Sequence, residues 1–137
     1  MQKPSLFAIL NKILFRRRLN MVAVASDHGG YGLKTHILKY LEDNKMPYRD
    51  YGCLIRPAWI ILIMRFRWPR RSPEAKADKG ILICGTGIGM CIAANKVPGV
   101  RAALCHDCFS AQATREHNDN NILAMGERVV GPGLAVK

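Results

Sequence analysis

The stretch Gly80-Ile81-Leu82-Ile83-Cys84-Gly85-Thr86-Gly87-Ile88-Gly89-Met90 constrains this chain more than any other. Gly80 to Ile83 is a short apolar, partly β-branched run, which predicts a buried strand ending at Cys84. The glycines predict a tight turn, and the helix-forming residues from Met90 to Lys96 predict a helix from about Gly87. A turn with few Cβ atoms lets backbone N–H groups converge at a helix N-terminus, where an anion can sit. A cysteine at the strand's carboxyl end lies beside those dipoles, which favour its thiolate. The glycine spacing is Gly-x-Gly-x-Gly. A dinucleotide fingerprint needs its third glycine where Met90 stands, and the Gly-Lys-Ser/Thr of a P-loop is missing, so a shorter anion or a reaction oxyanion fits better than a nucleotide.

The rest of the chain builds an α/β frame around that loop. Met21 to Ser26 reads as a buried strand, Asp27-His28-Gly29-Gly30 as the turn after it, and Tyr31 to Asn44 as an amphipathic helix through Leu33, Ile37, Leu38 and Leu41. Tyr48 to Tyr51 is a short strand that Gly52 ends. Arg101 to Cys105 is a strand, Phe109 to Glu116 a helix capped by Ser110 or Asp107, and His117 to Asn121 a polar loop. Ile122 to Met125 is a last strand, Gly126-Glu127-Arg128 follows it, and the chain stops soon after Gly131-Pro132-Gly133. Strands alternating with helices predict a Rossmann-like three-layer α/β domain with a mostly parallel sheet. Ligands in such sheets bind at the strands' carboxyl ends, where Asp27, His28, Cys84 to Gly89 and Arg128 fall.

The formal net charge of +11 suggests a nucleic acid or an anionic membrane as partner, but its distribution argues against both. Residues 1–20 carry +5, residues 54–76 carry +5, and the remainder carries +1. Residues 1–20 have a basic amphipathic pattern, with Leu6, Ile9, Leu10, Ile13 and Leu14 followed by Arg16-Arg17-Arg18. They read as an extension ahead of a domain spanning 21–137, with an organellar presequence or a surface-binding helix as the alternative. No apolar run is long enough for a membrane span. Five cysteines, an odd number in mostly apolar surroundings, fit a reducing, cytoplasmic setting. Cys105-His106-Asp107-Cys108 has CxxC spacing, but with no second pair it is weak evidence for zinc or a redox dithiol, and no metal or cofactor is expected.

These residue types suit the movement of a carbonyl along a sugar phosphate. Cys84 suits the base that takes a proton beside the carbonyl. Thr86 and the loop N–H groups suit the enediolate that results. His28 and His117 suit ring opening, since histidine titrates near neutral pH. Arg128 suits a phosphate. Taken singly, each also fits a plainer role: an inert strand-end thiol, a turn residue, a surface residue, half of an ion pair. His36 and His106 keep such plain roles.

Residues 21–133, outside the middle, closely resemble ribose-5-phosphate isomerase type B, a family that includes galactose-6-phosphate isomerase subunits. The resemblance lies in Ser26-Asp27-His28, Gly80 to Met90, Ile92-Ala93-Ala94-Asn95-Lys96, Arg101-Ala102-Ala103, Arg115-Glu116-His117-Asn118-Asp119 and Arg128-Val129-Val130-Gly131. It implies an aldose–ketose isomerase of the pentose phosphate pathway, a homodimer with active sites at the subunit interface, and no cofactor. It implies Cys84 as proton acceptor, His117 as proton donor in ring opening, and Thr86 at the enediolate. Asp27, His28, Gly85, Thr86, Gly87, Ile88, Gly89, Asn118 and Arg128 would contact substrate. A non-catalytic sugar-phosphate-binding member, or a galactose-6-phosphate isomerase subunit, is the alternative.

Three departures qualify the resemblance. Residues 1–20 have no counterpart. The family's C-terminal helix, with further phosphate-binding arginines, is missing after Lys137. The family's Tyr-Pro-Asp-Tyr loop and following helix are replaced at residues 54–76 by an apolar run and a basic, aromatic one. Ile61 to Arg70 can be encoded ATC CTG ATT ATG CGG TTT CGG TGG CCG AGG, after an Ile60 codon ending in T. Regrouped one base earlier, this reads Tyr-Pro-Asp-Tyr-Ala-Val-Ser-Val-Ala-Glu. The hypothesis is a pair of compensating frameshifts bracketing about residues 54–76; a sequenced gene with unrelated codons there would sink it. The basic patch is then accidental, and weak or absent activity is expected.

Overall fold

The computed structural model describes residues 21–53, 77 and 79–136. The elements are β1 (Val22–Ser26), α1 (Tyr31–Asp43), β2 (Tyr48–Cys53), β3 (Lys79–Cys84), α2 (Ile88–Asn95), β4 (Ala102–Leu104), α3 (Cys108–Asn118), β5 (Ile122–Gly126) and α4 (Glu127–Ala135), with a 3-10 turn at His28–Gly30 before α1. The strands form one sheet in the order β2-β1-β3-β5-β4, every pair parallel. The expected Rossmann-like α/β arrangement is therefore present, and its sheet is wholly parallel. The expectations for residues 1–20 and 54–76 lie outside the described residues.

The alternation of side chains along each strand divides the core in two. Val22 and Val24, Ile81 and Ile83, and Leu123 and Met125 face Leu33, Ile37 and Leu41 of α1, Ala111 of α3, and Val130 and Ala135 of α4. The intervening residues Ala23, Ala25, Leu82, Cys84 and Ile122 face Met90 and Ala94 of α2. Lys34, 3% exposed, ties α1 to β2 through both oxygens of Asp50, at 2.9 and 3.1 Å. Asn95 covers the edge strand β4, its amide exchanging two bonds with the Ala102 backbone at 2.9 Å each. Such side-chain pairing occupies backbone groups that an edge strand otherwise leaves open.

Two local expectations change, and one helix appears where none was assigned. Gly52 does not end β2; it sits inside it at φ +81°, where the register slips between Val24 and Ser26, a bulge that carries the strand on to Cys53. His117 and Asn118 are not in a loop but form the last turn of α3, which Asp119 ends in the left-handed region at φ 47°. Glu127 to Ala135 forms a helix that the sequence reading did not assign. Gly131, at φ 66° and ψ 165°, kinks it, and Pro132 restarts it with its carbonyl accepting from Val136 N–H at 3.2 Å. Of the two cap candidates for α3, Asp107 takes the role, accepting from Ser110 N–H at 2.7 Å. Among the described residues no helix is long and apolar enough to cross a membrane.

Candidate active site

From β1 the chain crosses to β2 on one side, and from β3 to β4 on the other. The carboxyl ends of β1 and β3 therefore flank a crevice at the point where the winding direction reverses, the usual ligand position in open parallel sheets. Cys84, 6% exposed, ends β3 on the α2 face of the sheet. Its Sγ accepts the Gly87 N–H at 3.0 Å. Gly87 itself holds φ +80°, and a Cβ there would lie 2.6 Å from Leu104 Cδ1 and 2.8 Å from the Met125 carbonyl carbon, so glycine is required on both counts.

The loop is drawn down onto the neighbouring strand by a second glycine. A Cβ at Gly126 would lie 2.5 Å from the Thr86 carbonyl carbon. Arg128 N–H donates to Gly85 O at 3.0 Å, and His106 Nε2 lies 3.0 Å from Thr86 O. The first helical bond of α2 is Cys91 N–H to Gly87 O. Ile88 N–H goes to Thr86 Oγ1 at 3.3 Å, so the Gly89 and Met90 amides precede the ladder with no acceptor within the helix. A Cβ on Gly89 would meet nothing within 4 Å. The result is an open helix N-terminus beside a thiol.

The other residues named from sequence divide into two groups. Asp27 and His28 lie across the crevice from this loop. Asp27 N–H donates to Ile83 O at 3.0 Å, its Oδ1 accepts from Gly29 N–H at 2.8 Å, and a Cβ on Gly29 would lie 3.2 Å from Gly85 N. His28 is exposed. The Arg128 guanidinium lies over Gly85, its Nε 3.6 Å from where a Gly85 Cβ would be. So Asp27, His28, Cys84 to Gly89 and Arg128 come together.

His117 and Asn118 do not join them. They end α3, which runs antiparallel to the strands, and Asn118 O accepts from Arg101 Nε at 2.8 Å ahead of β4. Asn121 O accepts from Gly80 N–H at the start of β3. The strand from Gly80 to Cys84 is about 13 Å long at ~3.3 Å per residue, so His117 of this chain sits at the far edge of the sheet from Cys84.

Two residues near the crevice carry contacts that the sequence reading gave no functional role. His106 holds the Thr86 carbonyl; its place just after β4, at the carboxyl edge, was the available signal. Glu127 accepts from Leu33 N–H at 2.8 Å, a contact across 94 positions with no local signal. Among the described residues no three His, Cys, Asp or Glu side chains cluster as a metal site would need. All five cysteines are free. Burial, with Asp107 and Cys91 nearby, pushes the Cys105 thiol up to about 11. The Ser110 N–H and hydroxyl hold the exposed Asp107 carboxyl low.

The family model described as Ribose/Galactose Isomerase matches residues 22–137. The chain is 53% identical over 115 residues to the Bacillus subtilis protein YwlF, provisionally named a sugar phosphate isomerase, spanning 83% of this chain and 77% of that one. It is 40% identical over 124 residues to ribose-5-phosphate isomerase B of Escherichia coli, spanning 85% and 78%. Among solved structures, ribose-5-phosphate isomerase B of Clostridium thermocellum superposes with a TM-score of 0.74 at 43% identity, covering 85% of this chain and 78% of that one.

Proposed function

The chain belongs to the ribose/galactose isomerase family of sugar-phosphate isomerases, and from that premise we propose that it interconverts ribose 5-phosphate and ribulose 5-phosphate through an enediolate. The observation that carries the reading is Cys84: a nearly buried thiol that receives the Gly87 N–H and faces the open N-terminus of α2. Its thiolate takes the proton from the carbon beside the carbonyl and returns it to the neighbouring carbon. The amides of the loop and the Thr86 hydroxyl stabilise the oxyanion formed between the two steps. Arg128, with Asp27 and His28 across the crevice, holds the substrate's polar groups. The chemistry is internal proton transfer.

Ring opening needs an acid, and the geometry supports taking it from a second copy. His117 and Asn118 lie about 13 Å along the sheet from their own Cys84, so with His117 as the donor a protomer by itself does not bring donor and base together. Ile88 and Ile92, 49% and 58% exposed on α2 beside the loop, offer an apolar face for that second copy. In the proposed dimer each crevice receives the partner's His117. Residues 54–76 lack the family's Tyr-Pro-Asp-Tyr loop, and turnover below that of an intact family member is expected. The test is an isomerase assay on the full chain beside Cys84→Ala. Conversion by the full chain and none by the variant supports the reading. Binding of ribose 5-phosphate without conversion favours the non-catalytic alternative. Preferred turnover of galactose 6-phosphate, or of D-erythrulose 4-phosphate, the substrate named for a Pectobacterium atrosepticum relative 41% identical over 117 residues, moves the assignment within the family.

A further inference from the structure

Helix α1 begins without a side-chain cap of its own. Gly30 precedes it, and a Cβ there would strike the Ile83 carbonyl oxygen at 2.6 Å, so no serine or aspartate can stand in the capping place. The acceptor comes instead from α4, where the Glu127 carboxylate takes the Leu33 N–H at 2.8 Å. Gly32 makes room for it: a Cβ on that residue would lie 2.8 Å from Glu127 Oε1. The next residue carries the opposite charge to a different place. The Arg128 backbone holds Gly85 O and its guanidinium lies over Gly85 at the crevice. Among the described residues no carboxylate forms an ion pair with Arg128.

We propose that Glu127 is a positioning residue: docked on the first turn of α1, its carboxylate is kept out of the crevice, and the Arg128 charge stays available to the substrate's phosphate. The partial positive charge of the α1 N-terminus absorbs the carboxylate. Released from it, the carboxylate would share the crevice with the phosphate, repelling it and screening the guanidinium. For the sugar phosphate this rests on the isomerase reading; for a bare anion it does not.

The test is calorimetric binding of ribose 5-phosphate, and separately of inorganic phosphate, to the full chain carrying Cys84→Ser, which removes the proposed base and leaves the other crevice residues in place. Gly32→Ala displaces the Glu127 carboxylate, leaves every crevice residue in place, and improves helix propensity. It should weaken both ligands at least threefold. Glu127→Gln, which still offers an oxygen to Leu33, should stay within twofold of the parent. Combining the two should return affinity to within twofold of the parent, a rescue that a purely structural role of Glu127 does not give. Glu127→Asp, too short to reach Leu33 yet still charged, should weaken binding like Gly32→Ala and serves if that variant melts. Unchanged affinity in Gly32→Ala and Glu127→Asp, or a double variant weaker than Gly32→Ala alone, overturns the proposal. If inorganic phosphate shows the pattern while the parent ignores ribose 5-phosphate, the isomerase reading fails and this inference stands. If the parent binds neither, both fail.

Discussion

The two edges of the sheet satisfy their backbone in different ways. At the carboxyl edge, glycines let main chain approach main chain: Gly30 against Ile83, Gly126 against Thr86, Gly87 against Met125. The amides so gathered are left pointing at a crevice. At the amino edge, side chains do the same task. Arg101 Nε donates to Asn118 O, Asn121 Oδ1 accepts from Arg101 N–H, Asn121 Nδ2 donates to Gly99 O, and Arg115 donates to Asn120 O and pairs with Asp119. One edge is a cradle holding the proposed base, Cys84. The other is a polar network beside the proposed acid, His117. Their difference teaches that the proposed base and the proposed acid lie at opposite edges of the sheet, which is why a second copy is proposed to bring them together.

The carboxyl edge breaks most completely at its thiol. Cys84→Ala should lower isomerase turnover by about a thousandfold, within the range expected for loss of a positioned base, while the melting temperature moves by only a few degrees. A spectrophotometric assay of ribulose 5-phosphate formation, with thermal unfolding beside it, checks both. Retained turnover would remove Cys84 from the mechanism.

The amino edge is tested next, and with it the pairing of edges. His117→Ala should cost roughly a hundredfold with ribose 5-phosphate, which must be opened, and much less with ribulose 5-phosphate, which is already acyclic. With ribose 5-phosphate, Cys84→Ala and His117→Ala chains alone should each turn over at about 1% of the parent rate or less. Mixed at equal amounts and allowed to exchange, they should regain about a quarter of the wild-type sites, since half the dimers are mixed and each mixed dimer holds one complete crevice. No recovery on mixing, with subunit exchange shown by mass spectrometry, would place acid and base in one chain.

Much of this was legible in the residues, for reasons that differ by element. The strands of β1, β3 and β5 are short apolar runs that only a buried parallel sheet accommodates. The loop from Cys84 to Gly89 declares itself through glycines that local geometry explains. The position of His117 was not legible as a loop residue. It follows only from counting the turns of α3 back across a sheet already known to be parallel. The α4 helix was not read from the sequence, since a glycine kink and a proline restart interrupt its pattern at Gly131 and Pro132. Glu127 could not be found at all, since its partner at Leu33 is brought near by tertiary packing alone.

The same substitution at a glycine of each edge sharpens the contrast further. Gly126→Ala puts a methyl group 2.5 Å from Thr86 main chain, which cannot give way without moving the loop. Gly80→Ala meets Ile122 Cδ1 at 2.7 Å, the end of a side chain that can turn aside. Gly126→Ala should therefore cost about 1–3 kcal/mol of stability, and Gly80→Ala well under half as much. Only the first should also reduce turnover. Urea unfolding of the two variants decides it, and equal costs would show that the carboxyl edge is no more tightly built than the amino edge.

The smallest expected effect separates a reactive position from mere placement at the carboxyl edge. Cys84 and Cys105 both lie at that edge, on opposite faces of the sheet. The Cys84 sulfur accepts the Gly87 N–H, whereas Cys105 is 1% exposed, with the Asp107 carboxylate nearby. Burial first, then Asp107 and Cys91, push the Cys105 thiol up from 9.0 to about 11. The folded chain thus holds this proton more tightly than the unfolded chain, which ionises first as pH rises. Cys105 contributes no pH dependence below about 9, and from there to about 11 stability should fall. Cys105→Ala should flatten part of that fall and leave turnover within about twofold of the parent, because Cys105 belongs to the core cluster on the face of the sheet opposite Cys84. Unfolding of parent and variant at intervals between pH 8 and 11 measures the difference. A parent curve no steeper than the variant's would mean that Cys105 is neutral to fold and chemistry alike.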